Sequence, residues 1–403
     1  MLKGKTVVLG VTGSIAAYKI AGLASMLVKA HADVHVIMTK NAVNFINPIT
    51  FETLTSHKCL VDTFDRNFEF HVSHVSLAQK ADIMMIAPAS ANVIGKVAHG
   101  IADDMLTTTI MACSGKVMFS PAMNVHMYEN PILQDNLNTL RRYGYEVIEP
   151  AVGYLACGDT GAGKMPEPEV LFQYILREIA CEKDMQGIRL MVTAGPTRES
   201  LDPVRFITNH STGKMGYAIA RRAMLRGAEV TLISGPVSLD PVPFVKMVPI
   251  VTAEDMFRAV SEDFEKQDIL IKSAAVADYR PAVVSDEKVK KKDGDMSIAL
   301  ERTKDILGYI GQNRRDDQVI CGFSMETQNM LENSRKKLKK KNLDMIIANN
   351  LKEQGAGFGT DTNRVTIISE KEEKTPGLLS KEEVADVILD EILLLLKKKQ
   401  SSE

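Results

Sequence analysis

One order of elements is written twice in this chain of 403 residues, and it constrains the fold more than composition does. Residues 6–10 are a short apolar run of buried-strand type, 11–14 a tight loop carrying Gly13, 15–30 a helix, and 33–38 a second strand. The order returns later as strand 188–192, a long loop, helix 215–226 and strand 228–233. Each is a βαβ unit, so two α/β domains are expected. A chain of this length also exceeds what one hydrophobic core usually serves, and domains of roughly 150 to 220 residues are the common solution. The polar segment 181–187 ends in Gly187 and separates the two patterns, which places a first domain at 1–187 and a second at 188–403.

Composition narrows the partners. A formal charge of -2, with 45% hydrophobic and 25% charged residues, gives no reason to expect a polyanion-binding surface, so nucleic acid is not expected. The five cysteines, Cys59, Cys113, Cys157, Cys181 and Cys321, are odd in number, scattered and without a C-x-x-C pair. That argues against a disulfide framework and a zinc site and fits a reducing cytoplasm. Lys3 and Lys5 before an apolar run imitate a signal peptide, but the run breaks at Gly10 and again at Thr12-Gly13-Ser14, as a buried strand and its loop would. No run approaches the ~20 apolar residues needed to span a bilayer, so no membrane partner is expected.

Ligands of open α/β sheets bind at the carboxyl ends of strands. The Gly13 loop lacks G-x-G-x-x-G, and Thr39-Lys40-Asn41 stands where an acidic residue would take a ribose, so a dinucleotide is disfavoured. A single phosphate is not, because the free amides at the start of the Ile15 helix, with the hydroxyls of Ser14 and Thr39, can hold one. A plain helix cap explains the same loop equally well. Strand 81–87 runs into Pro88-Ala89-Ser90-Ala91-Asn92, and strand 116–120 into Pro121-Ala122-Met123-Asn124. Two strands thus deliver small and amide residues to one rim. Ahead of them stands His71-Val72-Ser73-His74, whose spacing alone does not choose between the histidines.

Residues 153–165 offer two incompatible chemistries. Gly158 to Lys164 spells G-x-x-x-x-G-K, a phosphate-cradling loop whose Mg²⁺-holding Ser or Thr is replaced by Met165. Alternatively, four glycines around Cys157 make a flexible flap that carries a thiol to a bound ligand. Pro166 and Pro168 block the helix a P-loop needs after its lysine, which weighs against an NTPase or kinase.

In the second half the loop 193–214 is long enough to be functional. Its end, Ser211-Thr212-Gly213-Lys214, imitates a P-loop but has Thr208 in place of the first glycine, and that motif is rejected. The strand that starts at Ile269 leads out to Asp278, which can approach Mg²⁺ or a ribose or simply pair with Arg280. The basic run Lys288-Val289-Lys290-Lys291-Lys292 is either a solvated loop or a source of charge for a transferring phosphoryl group. Strand 318–323 precedes a helix ending in a lysine run at 336–341, and helix 381–399 docks through an apolar stripe including Val384, Val387, Ile388 and Ile392.

Taken in order, these residues resemble the bifunctional flavoproteins of coenzyme A biosynthesis, phosphopantothenoylcysteine decarboxylase fused to phosphopantothenate-cysteine ligase. The resemblance covers nearly the whole chain. It runs through Gly13-Ser14-Ile15, His74-Val75-Ser76-Leu77, 88–92, 121–124 and Ala156-Cys157-Gly158 in the first half. In the second half it runs through Ala194-Gly195-Pro196-Thr197, 208–216, 274–280 and 341–344. It implies a flavodoxin-like, FMN-binding decarboxylase domain followed by a Rossmann-like α/β ligase domain. FMN would be bound through Gly13, Ser14, Ile15, Ser90, Ala91, Asn92 and Val93. His74 would be the base of an oxidation that turns the substrate thiol into a thioaldehyde, which accepts the electrons left by CO₂. Asn124 would hold the substrate carboxylate, and Cys157 would return the proton; a thiol of pKa ~8.5 is mostly protonated at neutral pH.

For the second half the resemblance implies activation of 4'-phosphopantothenate by CTP with Mg²⁺, an acyl-cytidylate, and its displacement by L-cysteine. Lys288 would serve formation of the acyl-cytidylate, with Lys290 the alternative register, and Asn209 its conversion. CTP positions would be Asp278, Lys288, Phe323, Lys337 and Lys341 with Lys304, Asp305, Ile306 and Leu307, and Asp278 would also meet the metal. No residue read here specifies cytosine over adenine. A homo-oligomer is implied, trimers assembled into a dodecamer with dimeric ligase domains. Some flavin-binding relatives of the first half are regulatory subunits, but those need neither an intact second half nor His74 and Cys157 together.

Overall fold

The computed structural model describes residues 1–63, 73–154, 158, 160–290, 296–326, 329–350, 357 and 359–401. Cys157, His71, Lys291 and Lys292 lie outside them. The chain forms two compact units, Met1–Cys181 and Glu182–Glu403.

The first unit is built on a five-stranded parallel sheet in the order Asp33–Met38, Thr6–Val11, Ile83–Ala89, Lys116–Pro121, Glu146–Val147. Numbered along the chain this is 2-1-3-4-5, the flavodoxin-like order. All six residues of Thr6–Val11 are buried, as a central strand covered on both faces must be. One core gathers around Met84, Ile86, Phe119 and Leu137. The expected helix at 15–30 opens with a 3₁₀ turn, Ile15–Lys19, and becomes α-helical at Ile20–Lys29. Ser14 is its cap, accepting from the amide of Ala16 at 3.3 Å.

The two ends of the expected glycine flap are antiparallel strands. Ala151–Tyr154 pairs with Thr160–Lys164, so the stretch imitating a P-loop spans a turn and a strand, and the next helix starts only at Pro168–Ile179. Two of the glycines, Gly161 and Gly163, serve close approach. Gly163 has φ +133°, and a Cβ there would lie 2.5 Å from the carbonyl oxygen of Met123.

The second unit carries an eight-stranded sheet. Its order is Lys246–Pro249, Glu229–Ser234, Arg189–Ala194, Ile269–Lys272, Val319–Glu326, Met345–Asn350, Val365–Ser369, Glu373–Lys374. The first six are parallel and follow the Rossmann order 3-2-1-4-5-6, and each of the last two runs antiparallel to the strand before it. Helix Lys381–Gln400 docks by Val384, Ile388 and Ile392, all fully buried. The long loop after Arg189–Ala194 is not featureless: it holds a small hairpin, Arg198–Ser200 against Phe206–Thr208.

The polar segment after Cys181, expected to close the first domain, is bound to the second. Met185 is buried and donates its amide to the carbonyl of Arg226 at 3.0 Å, while Arg226 pairs with Asp184 at 2.6 Å. The unit division therefore falls at Cys181, ahead of Gly187.

Candidate active sites

In each sheet the strand order reverses on either side of one pair of strands, and the connections leave in opposite directions there, opening a crevice. In the first unit that pair is Thr6–Val11 and Ile83–Ala89. Above it lies a cavity of about 540 Å³ whose lining includes Gly13, Ser14, Ile15, Ser90, Ala91 and Asn124. Two helical starts border it, the turn at Ile15, where Ser14 takes the amides of Ala16 and Ala17, and the helix Ala91–Ala98, whose cap Ser90 makes no side-chain capping bond. Asn124 caps the helix Val125–Glu129 through Oδ1, which accepts from the amide of His126 at 2.8 Å.

Of the other expected positions of this unit, Thr39, Asn92, Val93 and His74 do not line that cavity. Thr39 accepts from the amide of Ala42 at 3.3 Å. Asn92 is exposed, and Val93 is buried in the core, leaving only its backbone near the rim. His74 stands half-buried in the helix Ser73–Lys80. Cys157 falls between the hairpin strands, outside the described residues.

One organising residue escapes sequence reading. Thr12, fully buried, donates its hydroxyl to the carbonyl of Pro88 at 2.6 Å and accepts from the amide of Ser90 at 2.9 Å. It ties the two loops of the crevice together. Its only sequence signal is a threonine directly after a buried strand.

In the second unit the switch point lies between Arg189–Ala194 and Ile269–Lys272. Two cavities of about 430 Å³ each open there. The first collects Asp278, Lys304, Asp305, Ile306, Leu307, Lys337 and Lys341. Asp305 caps the helix Ile306–Asn313 and pairs with Lys341, and Lys304 pairs with Glu254 at 2.6 Å. Ile306 and Leu307 are buried, so they present backbone rather than side chains. The second collects Asn209 and Phe323, with Asp278 and Lys337 again. Asn209 donates from Nδ2 to the carbonyl of Ala275 at 2.9 Å, and Lys337 donates to the carbonyl of Phe323 at 3.0 Å.

Asp278 is not tied up by Arg280, which donates to Glu301 at 2.8 Å instead. Lys288 and Lys290 are exposed and line neither cavity. Their segment is nonetheless anchored: Val289 donates its amide to Asp202 at 3.1 Å, and Arg205 donates to the carbonyl of Val289 at 2.8 Å. Lys214, rejected as a P-loop lysine, pairs with Asp361 at 2.7 Å. Lys272 lines both cavities and has no sequence signal beyond its place at a strand end.

Among the described residues, a single cluster has metal-ligand types at close range, Asp33, His35 and His57. It sits at the start of the edge strand Asp33–Met38, at the end of the sheet opposite the crevice. The Asp33 carboxylate is engaged by Lys80 at 2.5 Å and by His57 at 2.6 Å, which makes this an ion cluster.

The fold and the two crevices define a flavodoxin-like unit joined to a Rossmann-like unit in one chain. Known proteins agree with that class. The flavoprotein family matches residues 1–180, and the family of the DNA/pantothenate metabolism flavoprotein C-terminal domain matches residues 185–395. The coenzyme A biosynthesis bifunctional protein CoaBC of Bacillus subtilis is 49% identical over 401 residues, covering 98% of both chains. Its counterpart in Escherichia coli K12 is 41% identical over 395 residues, covering 97% of both. A crystal structure of the C-terminal domain of such a protein is 44% identical, covering 53% of this chain and 98% of that one at a TM-score of 0.46. The chain belongs to the family of coenzyme A biosynthesis bifunctional proteins.

Proposed function

We propose that the chain carries out two consecutive steps of coenzyme A biosynthesis: the second unit joins 4'-phosphopantothenate to L-cysteine using CTP, and the first decarboxylates the product to 4'-phosphopantetheine. The observation that carries this is the placing of two independent crevices, one at each switch point, with the family's motif residues at both.

The first crevice fits FMN. The start of the helix Ala91–Ala98 offers amides to a phosphate, and Ile15, Tyr18, Met127 and Tyr154 give an exposed apolar wall suited to a flat ring. When bound, FMN supplies a two-electron acceptor that later returns the electrons. The chain's own residues do the rest. His74 takes the thiol proton of the substrate, Asn124 holds the carboxylate that leaves as CO₂, and Cys157 gives a proton to the remaining carbon. Gly13, Ser14, Ile15, Thr39, Ser90, Ala91, Asn92 and Val93 make the flavin site.

In the second unit Lys304, Lys337, Lys341 and the backbone at Asp305, Ile306 and Leu307 hold the nucleotide, with Phe323 on the adjoining wall. Asp278, an exposed carboxylate without an ion pair among the described residues, suits Mg²⁺. Lys288 stabilises the charge as the substrate carboxylate attacks the α-phosphorus, and Asn209 serves the acyl-cytidylate as cysteine displaces CMP. The decarboxylase is assigned to the first unit and the ligase to the second, and the protein to the cytoplasm; no described helix is long and apolar enough to cross a membrane. The exposed apolar rim at Ile15, Tyr18 and Tyr154 supports a flavin site closed by a second subunit. We assign trimers assembled into a dodecamer, with dimeric ligase domains.

The test supplies 4'-phosphopantothenate and cysteine with CTP or ATP in turn, and follows each product. Failure of both nucleotides contradicts the ligase assignment, and purified protein that neither carries FMN nor takes it up contradicts the decarboxylase assignment.

A further inference from the structure

We propose that Lys272 binds the anion that changes hands in the second unit, the nucleotide α-phosphate together with the carboxylate that attacks it. The inference rests on the ligase reading and assigns a residue to it.

Three observations converge. Lys272 ends the central strand Ile269–Lys272 at the topological switch point. It is also part of the wall common to both cavities, one holding the expected nucleotide positions and the other Asn209. A group at that junction is where a nucleotide in one cavity meets an acid in the other.

The third observation concerns charge. Every other lysine lining either cavity already has a protein partner: Lys304 has Glu254, Lys341 has Asp305, Lys214 has Asp361, Lys337 the carbonyl of Phe323, and Lys381 the carbonyl of Gly357. Lys272 has neither a hydrogen bond nor an ion pair among the described residues. A half-buried ammonium without a partner is unfavourable until an anion arrives. The same wall carries Asn349, 8% exposed, whose Oδ1 is buried and also unpartnered. Both groups await a polar ligand.

The charged and titratable groups facing Lys272 are Lys337 on Met330–Lys340 and Asp278 on the loop after the strand, with Tyr279, Arg302, Lys304, Asp305 and Lys341 in the first cavity and His210, Lys214 and Lys381 in the second. Burial and then the charge of Lys337 lower its pKa to about 8, against the pull of Asp278. An arriving anion reverses this and holds the proton in place.

In the step served, a carboxylate oxygen of the acid forms a bond to the α-phosphorus. The bond from that phosphorus to the bridging oxygen breaks, and pyrophosphate leaves with the electron pair. No proton is transferred. Lys272 offsets the charge that builds between the two anions.

The test is pyrophosphate release by the full-length flavin-bound protein, given CTP, Mg²⁺ and 4'-phosphopantothenate without cysteine. Lys272→Gln is expected to slow release by ~100-fold, the usual size for losing one charge-stabilising donor. Its decarboxylation of phosphopantothenoylcysteine should be unchanged, and its unfolding temperature no lower than wild type because a buried charge has been removed. For the wild type, kcat/KM for CTP should fall as pH rises through about 8. Lys272→Arg, which keeps its charge, should lose that fall and retain release within ~10-fold. Release at the wild-type rate by Lys272→Gln, or an alkaline fall that persists in Lys272→Arg, overturns the assignment. Wild-type protein that releases no pyrophosphate overturns the ligase reading and the role of Lys272 together.

Discussion

Met123 donates its backbone N–H to the carbonyl oxygen of Gly163 at 3.1 Å, and this one bond ties the hairpin flanking Cys157 to the strand end that presents Asn124. The hairpin strand Thr160–Lys164 and the residue proposed to hold the substrate carboxylate, Asn124, are thereby held by adjoining backbone. The approach leaves no room for a side chain at Gly163.

Gly163→Ala therefore forces a Cβ against the Met123 carbonyl at a backbone angle that L residues rarely adopt. Decarboxylation should drop by ~10-fold or more while pyrophosphate release by the other unit stays at the wild-type rate. Separate assays of the two half-reactions check this, and an equal loss in both would point to general misfolding.

Thr12→Val removes a hydroxyl that serves two buried backbone groups, the carbonyl of Pro88 and the amide of Ser90. Leaving them unpaired costs about 2 to 3 kcal/mol. Thermal unfolding of the first unit should shift down and FMN should dissociate more readily, whereas Thr12→Ser should recover most of both. Unchanged flavin affinity in Thr12→Val would separate Thr12 from the site.

Asp202 accepts from Arg205 and from the amides of Val204, Arg205 and Val289, and these bonds hold its carboxyl well below the usual carboxylate range. Asp202→Ala releases the segment that carries Lys288. Acyl-cytidylate formation should fall by ~10-fold or more with decarboxylation intact. If pyrophosphate release survives, the anchoring of Lys288 is irrelevant to the reaction.

The pH dependence of the first unit follows from its ion cluster. Burial alone would raise Asp33, but hydrogen bonds from Lys80 and His57 and the nearby His35 outweigh it and push the carboxyl well below its ordinary range. Burial first, then the charge of His57, lowers His35. Both groups bind fewer protons when folded than when unfolded, so their stabilisation is present at high pH and fades on acidification. The His35 part fades below the ordinary histidine value of ~6.5, the Asp33 part below ~3.9. Unfolding temperatures measured from neutral pH downward should fall for the wild type, and their difference from Asp33→Asn should shrink in acid. A constant difference would contradict the assignment.

How much of this was legible in the sequence depends on where each signal is local. The strands Thr6–Val11 and Arg189–Ala194 announce themselves, because a continuous apolar run before a glycine loop has few other solutions. Ser14 was legible as a helix cap, and Ser90 and Asn124 as small and amide residues at strand ends. The hairpin at 151–164 was not, since its glycines also describe a loose loop. What decides between the two is the carbonyl of Met123, far away in sequence. Thr12 and Lys272 were hidden for the same reason: Pro88, Ser90 and Lys337 become their neighbours only after the sheet forms. Asp278 was left open against Arg280, and only the pairing of Arg280 with Glu301 frees it.

Cys157→Ser examines the other half of the chemistry. The hydroxyl is a far weaker acid than the thiol, so FMN binding and CO₂ release should continue while completion of 4'-phosphopantetheine fails. Normal product formation would remove Cys157 from its role.

The central claim, that one chain performs both steps at two separate crevices, is tested most directly by supplying purified protein with 4'-phosphopantothenate, cysteine, CTP and Mg²⁺ and following pyrophosphate, CO₂ and 4'-phosphopantetheine together. The account predicts all three, with Lys272→Gln suppressing every product and Cys157→Ser suppressing only the last. Pyrophosphate without CO₂ from the wild type, or neither from any nucleotide, would contradict it.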